Sequence, residues 1–139
     1  MRGWPWLLAC VLLGVALGAE SPPPWRPATA VDVETIARRL HLSQRDRFPH
    51  QQLSVSADFD GDGRTDLAQV MISGDGSRAG VAITRAADHR NQYLETSRVS
   101  ELVNLSLDVA AGRPPGAVVV HLEGRNRVFH WRRGRFLAG

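Results

Sequence analysis

From Leu53 to Leu137 the apolar residues fall mostly at alternate positions, and turn residues break the pattern every few residues. Leu53, Val55, Ala57 and Phe59 alternate with polar neighbours, as do Leu105, Leu107 and Val109. A period of two is the signature of half-buried strands. Further strands are predicted over residues 67–72, 80–84, 92–99, 117–122 and 127–132, with a short helical turn at 101–103 and a last turn at Gly134 before Phe136 and Leu137. The connections are short. Parallel strands need crossovers of a dozen residues or more, so the pairing is expected to be antiparallel.

One segment breaks this rule. In residues 30–42 the apolar positions Val33, Ile36, Ala37 and Leu40 follow i, i+3, i+4, i+7, which is helical spacing. Thr29 and Asp32 form an approximate capping box, with Asp in place of Glu. The acids Asp32 and Glu34 open the segment, and the basic Arg38, Arg39 and His41 close it, which complements the helix dipole. The expected fold class is therefore α+β: one N-terminal helix, then an antiparallel β-meander of about six or seven short strands, as a single domain over residues 30–139. Residues 20–29, with four prolines between positions 22 and 27, read as an extended lead-in outside the core, with Trp25 docking on the domain surface.

Within the strand region, residues 58–66 read Asp58-Phe59-Asp60-Gly61-Asp62-Gly63-Arg64-Thr65-Asp66. Aspartates at loop positions 1, 3, 5 and 9 converge on an ion if the chain curls around it, and Gly63 allows the sharp turn. A hard cation such as Ca²⁺ takes six to eight oxygen ligands. The predicted ligands are Asp58, Asp60 and Asp62, the backbone carbonyl of Arg64, and Asp66. Four carboxylates this close repel one another unless something neutralises them. Where an EF-hand carries its bidentate Glu this chain has Gln69, and strands rather than helices flank the loop. The stretch Ala57 to Ala68 resembles the calcium loop of FG-GAP and VCBS-type repeat proteins. The resemblance implies Ca²⁺ as cofactor and those five residues as ligands. It also implies a small, single-motif secreted bacterial member of that group, because the motif occurs once and the chain is too short for a propeller.

Residues 1–19 place Arg2 before the uncharged apolar run Trp6–Val15, then Ala16 and Gly18 at a cleavage site. This is the anatomy of a secretory signal peptide, cut after Gly18 or Ala19, and it predicts a periplasmic or secreted protein. The run is short for a bilayer span, so no transmembrane segment is expected in the mature chain. Cys10, the single cysteine, sits inside the apolar run, too early for a lipoprotein box. With it removed, the mature domain has no disulfide to staple a small core.

All 17 basic residues are arginine, and the net charge is +3, too small an excess to imply a nucleic-acid partner. The basic residues concentrate near the end: from Ala110 on, six arginines face one acid, Glu123. Arg125, Arg127, Arg132, Arg133 and Arg135 interleave with Phe129, Trp131 and Phe136. That pattern forms either a solvated strand edge or a binding face for an anionic envelope or surface partner, with Arg125, Arg127, Trp131, Arg132, Arg133 and Arg135 as its candidates. His121, Glu123 and His130 offer a transition-metal alternative without the HExxH pattern. No nucleophile motif, phosphate loop or dinucleotide fingerprint is present. The expectation is an exported, calcium-stabilised, non-catalytic binding or accessory domain at the bacterial envelope. The alternative is a small secreted enzyme or enzyme inhibitor with a site assembled by the sheet.

Overall fold

The computed structural model describes residues 24–46, 50–110 and 116–139. The signal-peptide segment 1–19 with Cys10, the first residues of the proline-rich lead-in and the Arg113–Pro115 turn lie outside them.

Among the described residues, nine strands form two antiparallel sheets. The first contains β1 (Trp25–Pro27), β2 (Ser54–Ala57), β3 (Asp66–Ser73), β4 (Arg78–Thr84) and β5 (Asn91–Arg98). The second contains β6 (Ser106–Ala110), β7 (Ala117–Leu122), β8 (Arg125–Arg132) and β9 (Arg135–Ala138), paired in chain order. The antiparallel prediction from short connections is met by every pair. The single meander is not: the 3₁₀ helix Val99–Asn104 carries the chain from one sheet to the other. The reason is burial. Ala68, Val70, Ile72, Ala79, Val81 and Ile83 of the first sheet share one core with Leu107, Val118, Val120 and Phe129 of the second. Each sheet has one apolar face, and each covers the other's.

The lead-in also differs from expectation. Trp25, Arg26 and Pro27 pair with Ser73, Ile72 and Met71, so the domain begins before residue 30. β1 and β2 lie end to end along one edge of β3. Val70 spans the gap between them: its amide donates to Leu53 O, and its carbonyl accepts from Ala28. A proline is tolerated in β1 because that strand is an edge. On the outer face Gly80 makes room for Trp25. A Cβ there would lie 2.8 Å from Glu95 O and 3.4 Å from the indole. The indole also meets Tyr93, with ring centroids 5.6 Å apart.

Helix α1 (Ala30–Arg39) buries Val33, Ile36 and Ala37 against the 3₁₀ helix Val99–Asn104. Asp32 Oδ2 accepts from Thr29 N at 2.8 Å, and Thr29 Oγ1 accepts from Asp32 N, which closes the capping box. Leu40, predicted to continue the apolar stripe, is the C-cap and 42% exposed. The helix stops there because residue 41 turns left-handed, at φ 55°. Among the described residues no helix is long and apolar enough to cross a membrane.

Candidate metal centre

The acidic loop joins β2 to β3, and strand register places its two ends. Ala57 pairs with Asp66, so the loop between them must double back. Asp66 opens β3 in phase with Ala68, Val70 and Ile72, on the core-facing side. Its carboxylate is consequently buried, at 1% exposure. Phe59 follows Asp58 into the core and is fully buried, which anchors the loop from its other end.

Ligand atoms of Asp58, Asp60 and Asp66 lie within 4.8 Å of one another. Three carboxylates at this spacing form an oxygen-only donor set, which suits a hard cation rather than a soft one. The cluster has the composition and spacing to hold a metal ion. Asp62 lies outside it: its Oδ1 accepts from Arg64 N at 2.8 Å, and both residues are exposed.

The repulsion anticipated among these carboxylates is met by donors from the chain itself. Asp58 Oδ1 accepts from Gly61 N and Asp62 N, and Asp58 Oδ2 accepts from Gly63 N at 2.8 Å. Asp66 Oδ2 accepts from Phe59 N at 3.0 Å and Asp60 N at 3.3 Å, while its Oδ1 accepts from Ala86 N at 2.9 Å. Gly61 and Gly63, at φ 79° and 86°, supply the turn that aims these amides inward. Each carboxylate oxygen has room for more than one partner, so these bonds leave acceptor capacity for an ion.

Arg85 is the residue that sequence reasoning missed. It follows β4, and the β3–β4 register carries it back beside the loop. Its Nε donates to Asp60 Oδ2 at 2.9 Å, and its Nη1 donates to Asp88 Oδ2 at 3.1 Å. The Asp60 side chain is 2% exposed. Burial pushes its carboxyl up, but the Arg85 hydrogen bond, the Asp62 amide and the Arg85 charge together outweigh that and hold it below the usual range. The Asp60 bond, with the charges of Asp88 and Asp60, raises the Arg85 guanidinium against the opposing desolvation. No local signal marks Arg85, because its partner is 25 residues away.

The basic residues near the C-terminus are divided among three environments. Arg125 begins β8 and Arg132 ends it, about 23 Å apart at ~3.3 Å per residue. Arg127 is ion-paired with Glu95 of β5 across the two sheets and lies over the Phe129 ring. Arg132, Arg133 and Arg135 are brought together at the β8–β9 turn, where Arg132 pairs with Arg135. Trp131 is half-buried between the Phe136 ring, at 4.9 Å, and the Arg85 guanidinium, at 4.6 Å. Of the histidine alternative, His121 Nδ1 contacts Asn126 Oδ1 at 2.9 Å, and Glu123 accepts from Asn104.

No family model matches this chain, and neither a curated protein nor a solved structure matches it.

Proposed function

We propose that this chain is an exported, non-catalytic binding or accessory domain of the bacterial envelope, similar to FG-GAP and VCBS-type proteins, stabilised by Ca²⁺ at its Asp58–Asp66 loop. The observation that carries the reading is the convergence of Asp58, Asp60 and Asp66 within 4.8 Å in a segment with aspartate at positions 1, 3, 5 and 9. An oxygen-only donor set favours Ca²⁺ or Mg²⁺ over transition metals. Carboxylates spaced along one backbone loop suit the variable coordination of Ca²⁺ better than the near-ideal octahedron that Mg²⁺ demands. Held by Asp58, Asp60 and Asp66, an ion would supply positive charge between the loop and the start of β3. The protein's share is the scaffold: Phe59 pins one side of the loop, and Asp66 ties it to β3 and to the Ala86 amide.

Thermal melting with calcium and with chelator tests the reading. Extracellular modules bind at about 10⁻⁴ to 10⁻³ M. At ~1 mM calcium the tighter end of that range gives roughly 1.4 kcal/mol, a rise of a few degrees for a domain of this size. Identical melting in calcium and in chelator up to ~10 mM, beyond the weak end of that range, would refute the metal assignment. Export has a separate test: N-terminal sequencing of secreted protein is expected to start at Ala19 or Glu20. Lipid-modified material starting at Cys10 would overturn that expectation.

A further inference from the structure

A small cleft of about 180 Å³ opens between the β4–β5 loop and the β8–β9 turn, lined by Arg85, Arg90, Asn91, Gln92, Trp131 and Gly134. Clefts for free-standing ligands run to roughly 300–1,000 Å³, so this one suits a single unit of a longer chain. Its walls sort by what they have left to offer. The Gln92 amide is fixed in place by the Phe136 backbone, donating one N–H to its carbonyl at 2.8 Å and accepting from its amide at 2.9 Å. Asn91 Oδ1 accepts from Thr84, which leaves the Asn91 NH₂ as a donor. Arg90 is 85% exposed and only 3.8 Å from Asp88. Beside Gly134 stand Arg132, Arg133 and Arg135, which form no ion pair among the described residues. The groups available here are therefore donors and cations, which call for an acceptor-rich anion.

The turn itself is built at some cost. β8 and β9 are joined by two residues, both left-handed: Arg133 at φ 53° and Gly134 at φ 77°. Such turns favour Asn, Asp or Gly at the first position. The other left-handed non-glycines among the described residues are His41, His50 and His89, a residue type that tolerates the conformation better than arginine does. An arginine held where asparagine is easier places a guanidinium at the outermost point of the hairpin.

We propose that this cleft and the adjoining turn bind an anionic polysaccharide, one charged sugar unit seating against Arg90 and Asn91 while neighbouring carboxylate or phosphate groups lie along Arg132, Arg133 and Arg135. Guanidinium forks match both kinds of anion. Single-stranded nucleic acid fits less well. Its non-specific sites stack successive bases on free aromatic faces, whereas the Trp131 ring is wedged between Arg85 and Phe136. This site deepens the reading of the chain as a binding domain. It does not require calcium in the acidic loop.

The test measures affinity of the full mature protein for hyaluronate (carboxylate), teichoic acid (phosphate), neutral dextran and poly(dT), each in calcium and in chelator, with melting curves recorded in the same buffers. Binding to hyaluronate or teichoic acid but not dextran is expected in both buffers, falling about tenfold between ~50 and ~200 mM salt as exposed charges are screened. The stronger of the two identifies the charged group. Arg132→Ser with Arg133→Ser is expected to weaken binding about tenfold, and Arg125→Ser, at the far end of β8, to leave it unchanged. Arg133→Asn is the most discriminating variant: it is expected to melt at or above wild type yet bind several-fold more weakly. Folded protein that retains neither acidic glycan at ~20 mM salt, where screening is weak, would overturn the site. So would equal loss in Arg125→Ser, or tighter binding to poly(dT) than to both glycans. A missing calcium response in melting alongside intact glycan binding would refute only the metal assignment.

Discussion

Arg85 Nε donates to Asp60 Oδ2 at 2.9 Å, and the same guanidinium lies 4.6 Å from the Trp131 ring centroid. One side chain thereby ties the acidic loop of the first sheet to β8 of the second. Because it already compensates Asp60, the loop does not depend on a metal ion for all of its neutralising charge.

Replacing Arg85 by Ala leaves a buried carboxylate with one amide donor. Hydrogen bonds to charged groups are worth ~1.5–3 kcal/mol, so the variant is expected to lose about 2 kcal/mol in chelator, read by urea unfolding. An ion in the loop competes with this guanidinium for Asp60. Calcium is therefore expected to raise the melting temperature of Arg85→Ala more than that of wild type. Asp60→Asn breaks the same pair and is expected to destabilise the chelated protein rather than relieve repulsion in it.

Asp66 binds three backbone amides from a fully buried position. Asp66→Ala orphans all three. At ~1–3 kcal/mol for each unmet buried donor, a loss of at least about 3 kcal/mol is expected. Hydrogen exchange should show the Phe59, Asp60 and Ala86 amides losing protection first.

Gln92 joins the β5 edge of one sheet to the β9 edge of the other through two bonds with Phe136. Gln92→Ala is expected to cost about 1–3 kcal/mol. The Gln92→Glu variant, with no amide to donate to the Phe136 carbonyl, should recover only part of it. Faster exchange of the Phe136 amide would report the loosened seam.

Low pH acts on four carboxylates that the fold holds below the usual range: Asp32, Asp46 (through the Ser43 hydroxyl and amide), Asp60 and Asp75. The two-pronged Arg26 hydrogen bond holds Asp32 far below the usual range, against a smaller desolvation and with help from Thr29. The Ser73 hydroxyl, followed by Ser77, holds Asp75 at about 2. Asp60 is also lowered. A folded pKa below the unfolded one contributes stability that is present above the unfolded value, ~3.9 for Asp, and lost as pH falls through the folded one. Melting temperature is therefore expected to drop as pH falls below ~4 and to drop less steeply in Asp32→Asn. An equal slope in that variant would show that Asp32 contributes nothing to the acid limb.

Gly80→Ala drives a methyl toward Glu95 O at 2.8 Å, a backbone atom that cannot swing aside. Overpacking of this kind costs typically ~1–3 kcal/mol, and quenching or a spectral shift of Trp25 is expected to accompany it.

What the sequence determined by itself was local. Alternation of apolar residues marks β2 and β6, and short apolar runs mark β3 and β7, because these patterns depend only on a strand's own residues. Thr29 and Asp32 mark a helix start three residues apart, and the aspartates at 58, 60, 62 and 66 mark an oxygen-rich loop. Whatever needed a partner distant in sequence was decided by the tertiary structure. Division into two sheets follows from each apolar face needing cover. Trp25–Pro27 becomes a strand because β2 leaves half of the β3 edge unpaired. Asp62 separates from Asp58, Asp60 and Asp66, and Arg127 turns inward to Glu95 while Arg132, Arg133 and Arg135 gather at one turn. Asp60 finds Arg85 across 25 residues, a pairing set by the register of β3 on β4 and by no pattern either residue carries alone.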